Sequence, residues 1–256
     1  MFIPILAYHM VHPRFDLGIT RVTPRQFERQ IKYLFDFGYK TISFTDFVTQ
    51  EHADDKNVII TFDDAYESVY QFAFPILKSY DFAATIFVIT NYVGKWNEWD
   101  YSFLRRKLSH CTWEQLENLI SEGWEVGSHT ITHRNLIGLS DSEAWREVND
   151  SKEFLENQIQ KRIGVISYPF GRFNEKVIEF VQKAGYIGGC TLGHNSPESQ
   201  NFPYAIFRRG VYLLDMLPLF KVKLKSNLWS QFDDLKQKLI SSCSQGSILL
   251  QYIKSR

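Results

Sequence analysis

Four short stretches of this 256-residue chain carry side chains able to do chemistry, and each closes a run that reads as a β-strand. Val58-Ile59-Ile60-Thr61-Phe62 is β-branched and apolar, as a buried strand is, and it ends in the paired carboxylates Asp63 and Asp64. The run at 3–8 ends at His9. The run at 124–128 ends at His129, with a second imidazole, His133, four residues on. The run at 164–168 breaks at Pro169-Phe170-Gly171. Two adjacent Asp on a strand point to opposite faces, so one can bind something while the other reaches toward it from another side. Taken alone, such a pair also opens turns.

The spacing His129-Thr130-Ile131-Thr132-His133 places two imidazoles at i and i+4. On a helical turn these share one side, near enough to hold one divalent metal. Unlike the H-E-x-x-H arrangement, no Glu lies between them, so a base must come from elsewhere. The Asp pair supplies both needs: one carboxylate completes a His/His/Asp ligand set, and its neighbour can take a proton from water. A set of three protein ligands leaves positions open for water and substrate, which suits hydrolysis of an ester or amide. The cofactor expected is one divalent ion, zinc first, with cobalt, nickel, manganese or iron as alternatives.

The elements that must position these groups alternate strand with helix. Thr23 and Pro24 open a helix that Gly38 stops. Tyr39 to Phe44 reads as a strand, 58–62 as the next, and about 67–80 as a helix. Ala83 to Ile89 is a buried strand, and Asn91 to His110 a long loop. Thr112 with Gln115, and Ser140 with Glu143, form capping boxes for helices ending at Gly123 and near Lys161. Asn174 caps a helix that Gly185 ends. Strands follow at about 186–191 and 206–213, then a helix at about 229–242 and a last strand at 247–252. This alternation predicts an α/β fold, a parallel barrel of about seven strands with right-handed crossovers. In a barrel the loops after the strands share one rim, so His9, Asp63-Asp64, His129 and Pro169-Phe170-Gly171 converge. No Gly-, Ser- or Pro-rich linker divides the chain, so residues 1–256 are expected to form a single catalytic domain.

Composition narrows the classes. Twenty-nine Lys and Arg balance 29 Asp and Glu with no basic run, which argues against nucleic acid as a partner. Cys111, Cys190 and Cys243 are scattered without metal-like spacing and read as reduced packing residues. No apolar run approaches a membrane span, and no signal-type segment precedes Phe2-Ile3-Pro4. The expectation is a cytoplasmic protein, with peripheral membrane association left open. Oligomeric state has no signal.

Thr61-Phe62-Asp63-Asp64, His129-Thr130-Ile131-Thr132-His133 and Ser167-Tyr168-Pro169-Phe170-Gly171, in this order, resemble the polysaccharide deacetylases with a NodB-homology domain, carbohydrate esterase family 4. The likeness runs from about Pro4 to Arg209. It implies a distorted (β/α) barrel and metal-dependent removal of acetyl from N-acetylated amino sugars. It also implies Asp63 as general base, Asp64, His129 and His133 as metal ligands, and the Phe170 backbone N–H as a donor to the oxyanion.

Two departures bear on the assignment. The common family pattern has an Arg shortly before the motif Pro, and Ile166-Ser167-Tyr168 carries none; Arg208 or Arg209 is the expected substitute. The common pattern also ends in a Leu-x-His strand that supplies the general acid, whereas Ile248-Leu249-Leu250-Gln251 has Gln. The chain is similar instead to the branch acting on poly-N-acetylglucosamine, which opens with a Tyr-His like Tyr8-His9 and takes its acid from that strand. His9 is then the acid, with His12 and His194 as other candidates. Trp96 and Trp99, in the loop after the 83–89 strand, either stack on sugar rings or cover the barrel top; Tyr66 and Tyr8 are further rim candidates. Competing readings are hydrolysis of a cyclic or linear non-sugar amide, and a non-catalytic carbohydrate-binding relative.

Overall fold

The computed structural model describes residues 2–13, 20–50, 54–97, 108–192 and 203–225. Trp99, His194, Cys243, the helix expected at 229–242 and the strand expected at 247–252, with Gln251, lie outside them.

The elements in order are β1 (Ile5–Tyr8), β2 (Met10–Val11), β3 (Arg21–Val22), α1 (Pro24–Asp36), β4 (Lys40–Thr41), α2 (Phe44–Thr49), β5 (Asn57–Phe62), α3 (Phe74–Ser79, after a π-helical turn at Val69–Ala73), β6 (Thr85–Val88), α4 (Trp113–Ser121), β7 (Glu125–Ser128), α5 (Asp141–Ile159), β8 (Val165–Ser167), α6 (Glu175–Lys183), β9 (Gly188–Leu192), β10 (Ile206–Gly210) and α7 (Leu217–Lys223). Strands β1, β5, β6, β7, β8, β9 and β10 pair in that order, all parallel, and β10 returns to β1, so seven strands close into a barrel. β4 pairs only with the first two residues of β5.

Alternation along each strand divides its residues between two layers. Ile5, Ile59, Phe87, Val165, Cys190 and Ile206 meet inside the barrel, with Phe44 of α2 packed against them. The other face of each strand packs against the helices, where Tyr8, Phe27 and Phe62 sit ring to ring. Gly127 is needed in β7 because a Cβ there would come within 2.5 Å of the Phe87 ring. The end of the barrel where the strands begin is closed by α2, whose Phe44 and Thr45 N–H groups donate to the Glu125 carboxylate (2.8 and 3.1 Å), with the Thr85 hydroxyl donating to the same group.

Helix starts follow their caps: Thr23 accepts from Gln26 N–H, and the boxes Thr112/Gln115 and Ser140/Glu143 are both formed. Each such cap contributes about 1 kcal/mol. The stretch Tyr39–Phe44 differs from the strand expected there. Only Lys40–Thr41 pairs, because Ser43 and Asp46 form a third capping box and turn the chain into α2. β10 likewise stops at Gly210, where the chain turns so that Tyr212 N–H donates to Asp215 (2.8 Å). Among the described residues no helix is long and apolar enough to cross a membrane.

Candidate active site and metal centre

β5 delivers Asp63 and Asp64 to the rim, and the backbone then enters the left-handed region at Asp64 (φ 69°) and Ala65 (φ 51°). β7 delivers His129 in the same way. The segment 129–133 is not helical: Thr130 (φ 66°) and His133 (φ 57°) are both left-handed, and this double reversal, not an α-turn, brings the second imidazole back beside the first. The rings lie 4.7 Å apart. Their Nε2 atoms face one carboxylate oxygen, Asp64 Oδ1, at 3.4 Å from His129 and 3.5 Å from His133. One ligand atom from each of the three residues falls within 4.8 Å of the other two, and all three residues are buried.

This donor set fits a divalent cation. Asp64 Oδ1 is buried and accepts no hydrogen bond from any described residue. His129 Nδ1 lies 2.7 Å from the Ser167 carbonyl, which only accepts, so Nδ1 carries the hydrogen and Nε2 of the neutral ring turns its lone pair inward. Lone pairs and a carboxylate oxygen converging on one buried centre are costly unless a cation sits among them. Burial pushes the His133 imidazole down to about 3, which keeps it in the neutral form that ligation needs. Burial also opposes charge on His129, but its contact with Asp64 outweighs that and holds it above the ordinary histidine value.

The loop is held from behind by a residue with no motif signal. Glu147, buried on α5, accepts from the Ile131 and Thr132 N–H groups (2.9 Å each) and from the Thr132 hydroxyl. Thr130 adds its hydroxyl to the His133 N–H at 3.2 Å. Across the site, His110 Nδ1 lies 2.6 Å from the Asp64 carbonyl. Glu147 and His110 lie at least 14 residues from any motif residue they hold, so only the folded chain shows them.

Asp63 points the other way, into the barrel top. Arg208 forms a two-pronged pair with it, Nη1 to Oδ1 at 2.8 Å and Nη2 to Oδ2 at 2.7 Å, and also donates to the Thr61 and Ser167 hydroxyls (2.9 and 2.7 Å). The guanidinium is fully buried and rides over the Phe87 ring, 5.1 Å from its centroid. Burial alone would raise the Asp63 carboxyl; the Arg208 charge overrides it and holds the group well below the usual carboxylate range.

Of the two arginines expected near Asp63, Arg208 is therefore the one beside it. Arg209 faces outward and caps α7, donating to the Val222, Lys223 and Lys225 carbonyls. His9 directly follows β1, and the Asp63 N–H donates to the carbonyl of its neighbour Tyr8 (2.9 Å), so His9 leaves its strand on the same rim as Asp63. Phe170 has a left-handed backbone (φ 58°) and sets its ring edge-on to His133 at 4.6 Å. Tyr66 is buried and stacks on His110. Trp96 is 51% exposed in the turn that bridges to Ser109. Tyr8 is not brought to the rim: it is fully buried in the outer layer, its hydroxyl bonded to Gln30 (3.0 Å).

The comparisons agree with this geometry. The family model for polysaccharide deacetylase matches residues 50–188, which include Asp63, Asp64, both histidines and the Pro-Phe-Gly turn. The chain is 35% identical over 210 residues to YxkH of Bacillus subtilis, a protein assigned by name to the polysaccharide deacetylases; the match covers 80% of this chain and 70% of that one. It is 29% identical over 199 residues to a poly-beta-1,6-N-acetyl-D-glucosamine N-deacetylase of Staphylococcus aureus, covering 73% of this chain and 66% of the relative. Among solved structures, the Streptococcus pyogenes deacetylase PplD in complex with acetate superposes with a TM-score of 0.75 at 27% identity, over 88% of this chain and 98% of that one. A closed seven-stranded parallel barrel with this rim and these matches makes the chain a member of the polysaccharide deacetylase family.

Proposed function

We propose that this protein is a metal-dependent hydrolase that removes acetyl groups from an N-acetylated amino sugar. The observation that carries the reading is the buried Asp64–His129–His133 set lying beside a second carboxylate, Asp63, that a buried arginine keeps ionised. A divalent cation at that set, zinc by the preference of two imidazoles and one carboxylate, would polarise the acetyl carbonyl and make a water more acidic.

The chain's own groups divide the remaining work. Asp63 takes a proton from the attacking water. Its low proton affinity makes it a base only toward an acidified water, and its charge is present throughout the working pH range. The Phe170 N–H donates to the oxygen that gains charge as the carbonyl becomes tetrahedral. His9 gives a proton to the departing nitrogen, which an amide needs because its anion is a very poor leaving group. Exposed Trp96 offers a ring face to the sugar, with Tyr66 behind the Asp64 turn. The similarity to a poly-N-acetylglucosamine deacetylase supports an N-acetylglucosamine oligomer as the first substrate to try.

The test is acetate release from a panel of N-acetylated oligosaccharides, β-1,6-linked N-acetylglucosamine oligomers included, beside linear and cyclic non-sugar amides. Chelator-stripped protein should be inactive and zinc-reloaded protein active on the sugars. Release from the simple amides alone would overturn the substrate class, and release unchanged by stripping would overturn metal dependence.

A further inference from the structure

His110 belongs to no motif, yet its buried imidazole reaches the backbone of Asp64. It is 2% exposed and packs against two aromatic rings, Tyr66 stacked at 4.9 Å (27° between planes) and Tyr92 tilted at 5.5 Å (31°). Buried, stacked on Tyr66 and held against Tyr92, the imidazole has little room to leave its own plane. In that plane Nδ1 meets the Asp64 carbonyl at 2.6 Å, and since a carbonyl only accepts, Nδ1 carries the hydrogen. The other ring nitrogen, Nε2, is buried and has no hydrogen-bond partner among the described residues. A buried nitrogen left unsatisfied calls for an explanation, and the bond that Nδ1 makes offers one.

What it does is hold an unfavourable backbone. Asp64 and Ala65 are consecutive left-handed residues, neither of them glycine. Such conformations cost of order 1–3 kcal/mol each and persist only where the surroundings over-determine them. The surroundings here are the segment carrying His110: Cys111 N–H donates to the Ala65 carbonyl (2.8 Å), Glu67 N–H to the Ser109 carbonyl (2.8 Å), and Tyr66 bridges to His110. Only the His110 bond falls on Asp64 itself.

We infer that His110 is a positioning residue of the metal centre, whose Nδ1–H fixes the left-handed Asp64 backbone and so aims its carboxylate at His129 and His133. The inference rests on the metal-centre reading above and extends it to a residue outside the motifs. Groups that orient metal ligands in this way change metal affinity by about 10–100-fold when removed.

Two substitutions separate this role from packing. His110→Phe keeps the stacked ring and removes the donor together with the unsatisfied Nε2. His110→Asn loses the ring, but its amide nitrogen can take the place of Nδ1 as donor. Zinc affinity is measured on the stripped protein by competition with a chromophoric chelator, alongside thermal melting of the same metal-free samples and of the parent. The expected result is a loss of about 10–100-fold in affinity for His110→Phe, with much of it regained in His110→Asn even if that variant melts lower. Parent-like affinity in His110→Phe, or affinity no better in His110→Asn than in His110→Phe, overturns the inference. A parent that binds no zinc would instead overturn the metal-centre reading, so the two failures are distinguishable.

Discussion

Replacing Arg208 with Met keeps the length of the side chain and its contact with Phe87 but strips Asp63 of both its side-chain hydrogen bonds. Arg208 is fully buried and Asp63 is 1% exposed, so bulk solvent does not make good the lost bonds. Breaking a buried pair from one side costs about 3–5 kcal/mol, because an uncompensated charge is left behind. At about 2–4 °C per kcal/mol for a chain of this size, melting should fall by roughly 6–20 °C near pH 8. The sign with pH is distinctive. In the parent, Asp63 lies below its unfolded value of about 3.9, so its contribution is complete above that pH and is lost only as pH falls through the lower folded value. In the variant the Arg208 charge no longer offsets burial, the largest influence on the group, and Asp63 is expected above its unfolded value with only neighbouring His129 and His9 pulling the other way. Its contribution is then present below about 3.9 and lost as pH rises through the folded value. The melting deficit should therefore narrow on acidification from pH 8 toward 5, where the parent shows no such gain from Asp63. Turnover should drop by about 10²–10⁴, as when a general base is disabled, and Arg208→Lys should recover only part because an ammonium cannot span both carboxylate oxygens. Differential melting across pH, with acetate release at each pH, reads both effects. A deficit under about 1 kcal/mol that does not change with pH, with turnover near the parent's, would refute the reasoning.

Two further outcomes test neighbouring parts of the site. Gly127→Ala should lower the melting temperature, because its Cβ would meet Phe87 at 2.5 Å and Val165 at 3.1 Å in a packed barrel interior. Overpacking of that kind costs about 1–3 kcal/mol, and an unchanged melt would mean the interior yields more easily than it looks. His9→Asn should leave zinc content intact and slow amide hydrolysis far more than hydrolysis of a phenyl acetate, whose leaving group needs no proton. Equal slowing of both substrates would remove His9 from the role of acid.

Much of this molecule was legible because its signals are local. Thr23-Pro24, Thr112 with Gln115, and Ser140 with Glu143 mark helix starts through bonds made within three residues. The same rule was available at Ser43 and Asp46, but the apolar residues from Tyr39 to Phe44 read as a strand and masked it. The rim constellation was legible for a different reason: each motif closes a strand, and a parallel barrel gathers strand ends. The route by which His133 returns was not, since it also needs a left-handed β-branched Thr130, which no sequence rule announces, and a single histidine is too weak a signal by itself. Arg208 was undecidable against Arg209 because its partner Asp63 is 145 residues away. The choice depends on whether Ile206 or Phe207 faces inward, and an apolar pair gives no answer. Glu147 and His110 escaped for the same reason of distance, acting on backbone atoms that no sequence pattern marks.

The division of labour between the two adjacent carboxylates is the centre of this account, and one paired measurement reaches it most directly. Asp63→Asn and Asp64→Asn are purified side by side, zinc content is determined by elemental analysis, and acetate release from an N-acetylglucosamine oligomer is followed on the same preparations. Asp63→Asn should hold zinc like the parent, since its side chain faces Arg208 and not the imidazoles, while losing turnover by several orders of magnitude. Asp64→Asn should lose both. Zinc lost from Asp63→Asn and kept in Asp64→Asn would contradict the assignment.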